Sequence, residues 1–102
     1  MNQNQKIVAL ITQVANEFNE QLEFKIDVER GRDAPLYGGD GVLDSLGLVS
    51  FVVAVEQAIE SELGITLTLA DEKAMSQKHS PFQTVGTLAD YVENLMKQVE
   101  AA

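Results

Sequence analysis

The feature that most constrains this chain is a long apolar, helix-compatible run that follows a glycine-rich loop. Three glycines between residues 38 and 41 loosen the approach, Asp44 is a favoured N-cap residue, and the run continues to about Leu63. Gly64 then suits the left-handed turn that ends many helices. The sequence therefore predicts a long helix that begins at Ser45, where free backbone N–H groups point outward.

This helix is expected to have two faces of different chemistry. The three-and-four spacing of one face predicts a core stripe of Leu48, Phe51, Val52, Val55, Ile59 and Leu63. The other face begins at Ser45 and holds aliphatic side chains and then carboxylates, namely Leu46, Val49, Val53, Glu56, Gln57 and Glu60. Such a face is typical of a docking surface. The alternative is that Val49 and Val53 are ordinary core residues, packed under the long loop or the C-terminal segment.

Two more long helices and one short helix are predicted. The first covers about residues 6–22 and has an apolar stripe of Ile7, Leu10, Ile11, Val14, Phe18 and Leu22. The last has Thr84 or Thr87 as its cap, with Asp90 three residues after Thr87 in a capping-box-like arrangement. Its apolar stripe is Leu88, Tyr91, Val92, Leu95, Met96 and Val99. The short helix is expected over about residues 72–76.

The stretch from residue 23 to residue 44 is predicted to be a long connection, because four glycines and one proline interrupt it. Phe24, Ile26 and Val28 alternate with charged residues in a strand-like period, but the sequence offers this segment no pairing partner. We expect these side chains to anchor the loop against the helices, as should Leu36, Tyr37, Val42 and Leu43. A helical turn around Pro35 is an open alternative.

These elements together predict an all-α fold, a small four-helix bundle with three long helices and one short one. A long loop separates helices 1 and 2. With 102 residues, the chain fits a single domain over 1–102 and can bury roughly two-thirds of its unfolded surface.

Several kinds of chemistry are excluded by what the sequence lacks. It has no cysteine and one histidine, which leaves too few ligands for a zinc centre. Two calcium-loop registers, starting at Asp33 and Asp40, both place apolar residues at ligand positions and therefore fail. His79 has polar neighbours and no evident catalytic partner, so it is read as a solvated loop residue.

The charge balance indicates the class of partner. A formal net charge of −9, from 16 acidic and 7 basic residues, argues against nucleic acid and favours partners with basic docking surfaces. The N-terminus is a poor signal peptide, and no apolar run reaches the length of a membrane span. A soluble, cytoplasmic protein without membrane insertion is expected.

The triplet Asp44-Ser45-Leu46 before an amphipathic helix resembles the modification site of acyl carrier proteins, which hold acyl groups as thioesters on a phosphopantetheine arm. The order of the other features is also similar to that family: a first amphipathic helix, a long loop, the triplet, Glu56, a Gly64-Ile65 break, a short third helix, then Thr84-Val85 leading into Ala89-Asp90-Tyr91-Val92. The resemblance covers nearly the whole chain.

Some features depart from the family's pattern. The second helix is about one turn longer than usual, and the segment over 71–83 is also longer. Gly47 and Ser50 stand where housekeeping fatty-acid carriers commonly have acidic residues. These departures suggest a specialised carrier for a dedicated pathway. The glycine pair that peptidyl carriers often place just before the serine lies farther upstream here, whereas an aminoacyl carrier of the D-alanyl type stays open.

The resemblance implies a role for each residue of the site. Ser45 would carry 4'-phosphopantetheine, Asp44 would help a phosphopantetheinyl transferase recognise the site, and Leu46 would give an apolar contact beside the arm. Other partners would be acyl or aminoacyl ligases and acyltransferases, with a monomeric carrier. The partner-binding residues would be Val49, Val53, Glu56 and Glu60.

The residues themselves indicate that Ser45 is a substrate and not a catalyst, because neither a nearby histidine nor a Gly-x-Ser-x-Gly elbow accompanies it. The chain is therefore predicted not to be an enzyme. A rival prediction from another class is a non-carrier acidic helical adaptor, in which Ser45 is an ordinary helix residue and the second helix packs a dimer. A saturated acyl chain carried by the protein could enter between the helices behind Val52 and Val55.

Overall fold

Three long α-helices dominate the computed structural model, which describes residues 2–22, 25–38, 41–69 and 81–101. Within those ranges the elements, in chain order, are α1 (Gln3–Asn19), a 3-10 helix (Val28–Asp33), α2 (Ser45–Leu63) and α3 (Val85–Ala101). Backbone pairing in the same ranges is limited to two isolated bridges. The all-α prediction is confirmed to that extent, while the short helix predicted over 72–76 and His79 lie outside the described residues.

Helix α1 begins three residues before the predicted start. Asn2 Oδ1 accepts the Gln5 N–H at 2.8 Å, and the Asn2 N–H donates to Gln5 Oε1 at 3.1 Å, which together make a capping box. At the other end the helix stops at Asn19, and Leu22 packs on the core from the turn that follows. The predicted helix range of about 6–22 was wrong at both ends because it followed the apolar stripe. The stripe begins after the capped start of the helix and continues beyond its last residue.

Helix α1 is the central helix, because it contacts both α2 and α3. Its inner face meets α2 through Phe18 and Phe51, whose rings lie 5.3 Å apart in an edge-on arrangement. The predicted stripes supply most of the core, and five members of the α2 stripe are at most 1 % exposed: Leu48, Phe51, Val52, Val55 and Ile59. Each such side chain contributes about 1.5–3 kcal/mol through burial.

The connection between α1 and α2 is anchored as predicted, although it contains a helical element. Ile26 is buried and Val28 half-buried, whereas Phe24 lies outside the described residues. The 3-10 helix is kinked at Gly31, whose φ of 62° is accessible to glycine at little cost. The open alternative of a helical turn around Pro35 is not what the structure has, since the 3-10 helix ends at Asp33. The proline restricts the residue before it, Ala34, to extended backbone.

The segment 34–37 joins the starts of α2 and α3. The Leu36 N–H donates to the Gln83 carbonyl at 2.7 Å, and the Val85 N–H donates to the Ala34 carbonyl at 3.1 Å. On its other side, the Leu36 carbonyl accepts the Leu43 N–H at 3.0 Å. One short extended segment therefore holds the residues just before both helices.

Helix α3 is capped by Thr84, one of the two predicted candidates. The Thr84 hydroxyl accepts the Thr87 N–H at 3.1 Å, and the Thr87 hydroxyl accepts the Thr84 N–H at 3.0 Å. The predicted pairing of Thr87 with Asp90 is wrong, because the Asp90 carboxylate instead binds the Arg32 guanidinium at 2.9 Å. No helix among the described residues is both long and apolar enough to cross a bilayer.

Candidate functional site

Ser45 is the first residue of α2, as predicted, and Asp44 is its N-cap. The Asp44 backbone is extended, with φ −86° and ψ −177°, which turns its side chain back over the first turn. Asp44 Oδ1 accepts the Gly47 N–H at 2.7 Å, and the Asp44 carbonyl accepts the Leu48 N–H at 2.8 Å. The carboxylate thereby fixes where the helix begins and holds Ser45 at its exposed end.

At Gly41, shortly before Asp44, the backbone is tightly packed and not loose. The Gly41 N–H donates to the Gly38 carbonyl at 2.7 Å. A Cβ atom at Gly41 would lie 2.5 Å from the Tyr37 backbone nitrogen and 2.6 Å from the Leu36 carbonyl oxygen, distances that force the backbone apart. Glycine at residue 41 therefore allows the chain to pass close over Leu36 and Tyr37 before it enters α2.

The Ser45 side chain is exposed, and its hydroxyl has one side-chain hydrogen-bond partner within the described part of the chain. Tyr37 Oη lies 3.4 Å from Ser45 Oγ, close enough to exchange a weak hydrogen bond in either direction. A serine nucleophile is normally activated by an imidazole, an amine or a carboxylate within hydrogen-bond reach, and none of these contacts Ser45 Oγ among the described residues. The geometry thus presents a hydroxyl for a reaction without a base of its own.

The first turn of α2 also offers backbone donors. Asp44 takes the N–H groups of Gly47 and Leu48, and the N–H groups of Ser45 and Leu46 have no acceptor among the described residues. Free N–H groups and the positive end of the helix dipole favour an anion at this position. A phosphate attached to Ser45 Oγ would lie close to these N–H groups and to the positive end of the dipole.

Beside Ser45 runs an exposed aliphatic face. Leu46 is 81 % exposed, Val49 40 % and Val53 39 %, while the opposite side of the helix is buried in the core. The alternative in which Val49 and Val53 are ordinary core residues is therefore wrong. These three side chains, hereafter the α2 patch, continue from the serine along one side of the helix.

The two carboxylates predicted on this face differ in their surroundings. Glu60 is exposed, whereas Glu56 is half-buried and its Oε1 accepts the Leu69 N–H at 2.8 Å. Glu56 thus holds the segment that follows α2 against the helix, a structural role that the sequence-based reading missed. Only one side chain of the pair is fully available to a partner.

An open cleft of about 300 Å³ shares one residue, Tyr37, with the surroundings of the serine. It is lined by Arg30, Asp33, Pro35, Tyr37, Gly38, Gln83 and Thr84. Tyr37 belongs both to this cleft and to the surroundings of Ser45 Oγ, so we name it the Tyr37 cleft. No local pattern predicts it, because its two walls come from distant stretches of the chain, residues 30–38 and 83–84, that long-range backbone hydrogen bonds bring together.

No group of three or more potential metal ligands occurs among the described residues. Comparisons with family models, with curated proteins and with solved structures found no match to this chain.

Proposed function

We propose that this chain is an acyl carrier protein. Ser45 would carry 4'-phosphopantetheine, and the chain would present an acyl or aminoacyl thioester to partner enzymes without catalysing a reaction itself. The observation that carries the proposal is an exposed serine hydroxyl at the first residue of a capped helix, beside free backbone N–H groups and an exposed aliphatic patch. The order of sequence features that resembles the carrier family supports the same conclusion.

The attachment reaction uses the Ser45 hydroxyl as nucleophile. Ser45 Oγ forms a bond to the β-phosphorus of coenzyme A, and the phosphorus–oxygen bond to adenosine 3',5'-bisphosphate breaks. Because no imidazole, amine or carboxylate contacts Ser45 Oγ among the described residues, the proton leaves to a base of the transferase. Asp44 keeps the start of α2 fixed, and the free N–H groups of Ser45 and Leu46 face the phosphate that becomes attached.

The attached group supplies a terminal thiol, which holds the acyl cargo as a thioester. The chain has no cysteine and cannot provide that sulfur itself. This absence is consistent with the proposal and does not carry it.

The partner surface consists of the α2 patch together with Glu60. An exposed ion pair contributes about 0–1 kcal/mol and is screened over roughly 8 Å at physiological salt, so docking should be weak and salt-sensitive. The net charge of −9 favours partners with basic surfaces, as expected for a transferase and for acyl or aminoacyl ligases and acyltransferases.

The test is intact mass after incubation with coenzyme A, magnesium and a broad-specificity phosphopantetheinyl transferase. We expect the protein to gain one phosphopantetheine, and Ser45→Ala to gain none. Ser50→Ala is the matched control, because Ser50 is an exposed serine in the same helix and should not affect the gain. A folded wild-type sample that gains no mass would overturn the proposal.

The rival is a non-carrier acidic adaptor, and one observation also suits it. The α2 patch leaves aliphatic side chains exposed, and in a dimer the same patch would be covered. An adaptor of this kind predicts a concentration-dependent dimer and no mass gain, whereas a carrier predicts modification at Ser45.

A further inference from the structure

The Tyr37 cleft has no role in the attachment reaction, although its residue Tyr37 reaches the attachment point. We propose that this cleft receives the phosphopantetheine arm once the arm is attached to Ser45, and that it accommodates a short polar acyl group in preference to a long saturated chain. The proposal rests on the carrier function proposed above and adds a binding site and a class of cargo to it.

The first support is proximity. Tyr37 Oη lies 3.4 Å from Ser45 Oγ, and Tyr37 also lines the cleft. A phosphate on Ser45 Oγ would therefore come within reach of the phenolic hydroxyl, and a chain leaving that phosphate can enter the cleft by passing along the tyrosine. Gly38 adds no side chain at the adjoining position.

The second support is the chemistry of the walls. The arm is a polar chain with a phosphate, a hydroxyl and two amide groups. The cleft offers matching groups in the Arg30 guanidinium, the Asp33 carboxylate and the Gln83 amide. Among the described residues neither Arg30 nor Asp33 forms an ion pair, whereas Arg32 is paired with Asp90. The charges of the cleft are thus available to a ligand.

The third support is that the cleft is built before any ligand arrives. Its two walls are joined by the bond from the Leu36 N–H to the Gln83 carbonyl and by the bond from the Val85 N–H to the Ala34 carbonyl. A preformed site of about 300 Å³ lies at the small end of the usual range for ligand pockets. That size suits the thiol end of a folded arm together with a short acyl group.

The choice of cargo follows from desolvation. A saturated chain in the cleft would remove water from Arg30 and Asp33 without replacing its hydrogen bonds, which is unfavourable. The route considered from the sequence, behind Val52 and Val55, requires the core to open, because both side chains are fully buried. A short acyl group with a hydroxyl or amide can remain hydrogen-bonded in the cleft.

The test compares amide chemical shifts of the ¹⁵N-labelled protein before and after loading by the transferase. We expect loading with phosphopantetheine to shift the amides of Arg30, Asp33, Gln83 and Thr84, in addition to those around Ser45. Ser45→Ala, treated in the same way, should show none of these changes. A sample that gains the mass but shows shifts confined to the start of α2 would overturn the arm site and leave the carrier function intact. No mass gain would overturn both.

Two matched variants separate the cleft from the surrounding surface. Arg30→Gln should lose the shifts at Gln83 and Thr84 on loading, while Glu29→Gln, an exposed neighbour outside the cleft lining, should retain them. Spectra of the unloaded variants show whether each is folded. Identical loading shifts in Arg30→Gln and wild type would contradict a role for the guanidinium, and with it the arm site as proposed.

The cargo is tested by loading from 3-hydroxybutyryl-coenzyme A and from octanoyl-coenzyme A. We expect the hydroxybutyryl group to keep or increase the cleft shifts, and the octanoyl group to reduce them. Larger cleft shifts with the octanoyl group would overturn the preference for polar cargo.

Discussion

The cap at Asp44 gives the sharpest test of how the serine is presented. Replacing Asp44 with alanine removes the 2.7 Å bond from the Gly47 N–H and leaves the first turn of α2 uncapped. Loss of such a cap costs about 0.5–2 kcal/mol, to which the loss of a negative charge at a helix N-terminus contributes about 0.3–1 kcal/mol. For a chain of this length, each 1 kcal/mol lowers Tm by about 4–8 °C.

Asp44→Asn separates the contribution of the capping hydrogen bond from that of the negative charge. Asparagine is as good an N-cap as aspartate, so this variant should lose only the charge contribution and unfold between wild type and Asp44→Ala. The matched control is Asp27→Ala, because Asp27 precedes the 3-10 helix without making a side-chain cap bond. That exposed substitution should change the free energy of unfolding by less than about 0.5 kcal/mol.

The assay is urea unfolding of the four proteins at pH 7, followed by far-UV circular dichroism, with modification rates measured in parallel. We expect Asp44→Ala to be both the least stable and the most slowly modified of them. Equal stability of Asp44→Ala and wild type would refute the capping argument. Equal loss in Asp44→Asn and Asp44→Ala would attribute the whole effect to charge.

Three further predictions concern the loop, the salt bridge and the two faces of α2. Gly41→Ala should destabilise the protein by about 1–3 kcal/mol and slow modification of the serine, because the new methyl group would lie 2.5 Å from a backbone nitrogen; urea unfolding and the mass assay measure both effects. The Arg32 guanidinium, as the largest influence, lowers the pKa of Asp90 below its ordinary 3.8. The pair's contribution to stability is therefore present above that value and disappears as pH falls through the lowered pKa. Asp90→Asn should reduce the difference in free energy of unfolding between pH 6 and pH 3, measured by urea unfolding, by less than about 1 kcal/mol for so exposed a pair. Val53→Ala should change the free energy of unfolding by less than about 0.5 kcal/mol, whereas Ile59→Ala, on the buried face, should cost about 2–5 kcal/mol; equal losses would contradict the assignment of faces.

Helix α2 was predictable from the sequence because its signals are local. Asp44 and Gly64 mark its ends, and the spacing of apolar residues separates the buried face from the exposed one. The position of Ser45 follows from the cap alone. The same local logic identified Thr84 as a candidate cap for the last helix.

The surroundings of Ser45 were not predictable, because they depend on contacts between distant segments. The sequence predicts Tyr37 only as an anchor of the loop. Nothing near it in sequence indicates that its hydroxyl lies beside the serine. Glu56 was assigned to the partner surface, yet it binds the backbone of Leu69. A carboxylate that is exposed by helix angle can still be engaged by the chain that folds back over it.

The position of Ser45 depends on residues far from it in sequence, because the extended segment 34–37 connects the start of α2 to the start of α3. Residues just before α2 and residues just before α3 both hydrogen-bond to it, although they are separated by about forty positions in sequence. A peptide that contained only the serine and its helix would lack this support, and a version truncated before Gln83 would lose both bonds from the start of α3 to the segment. The proposed modification site is therefore not a portable tag, and an engineer who wishes to transplant it would need to move the first turn of the last helix with it.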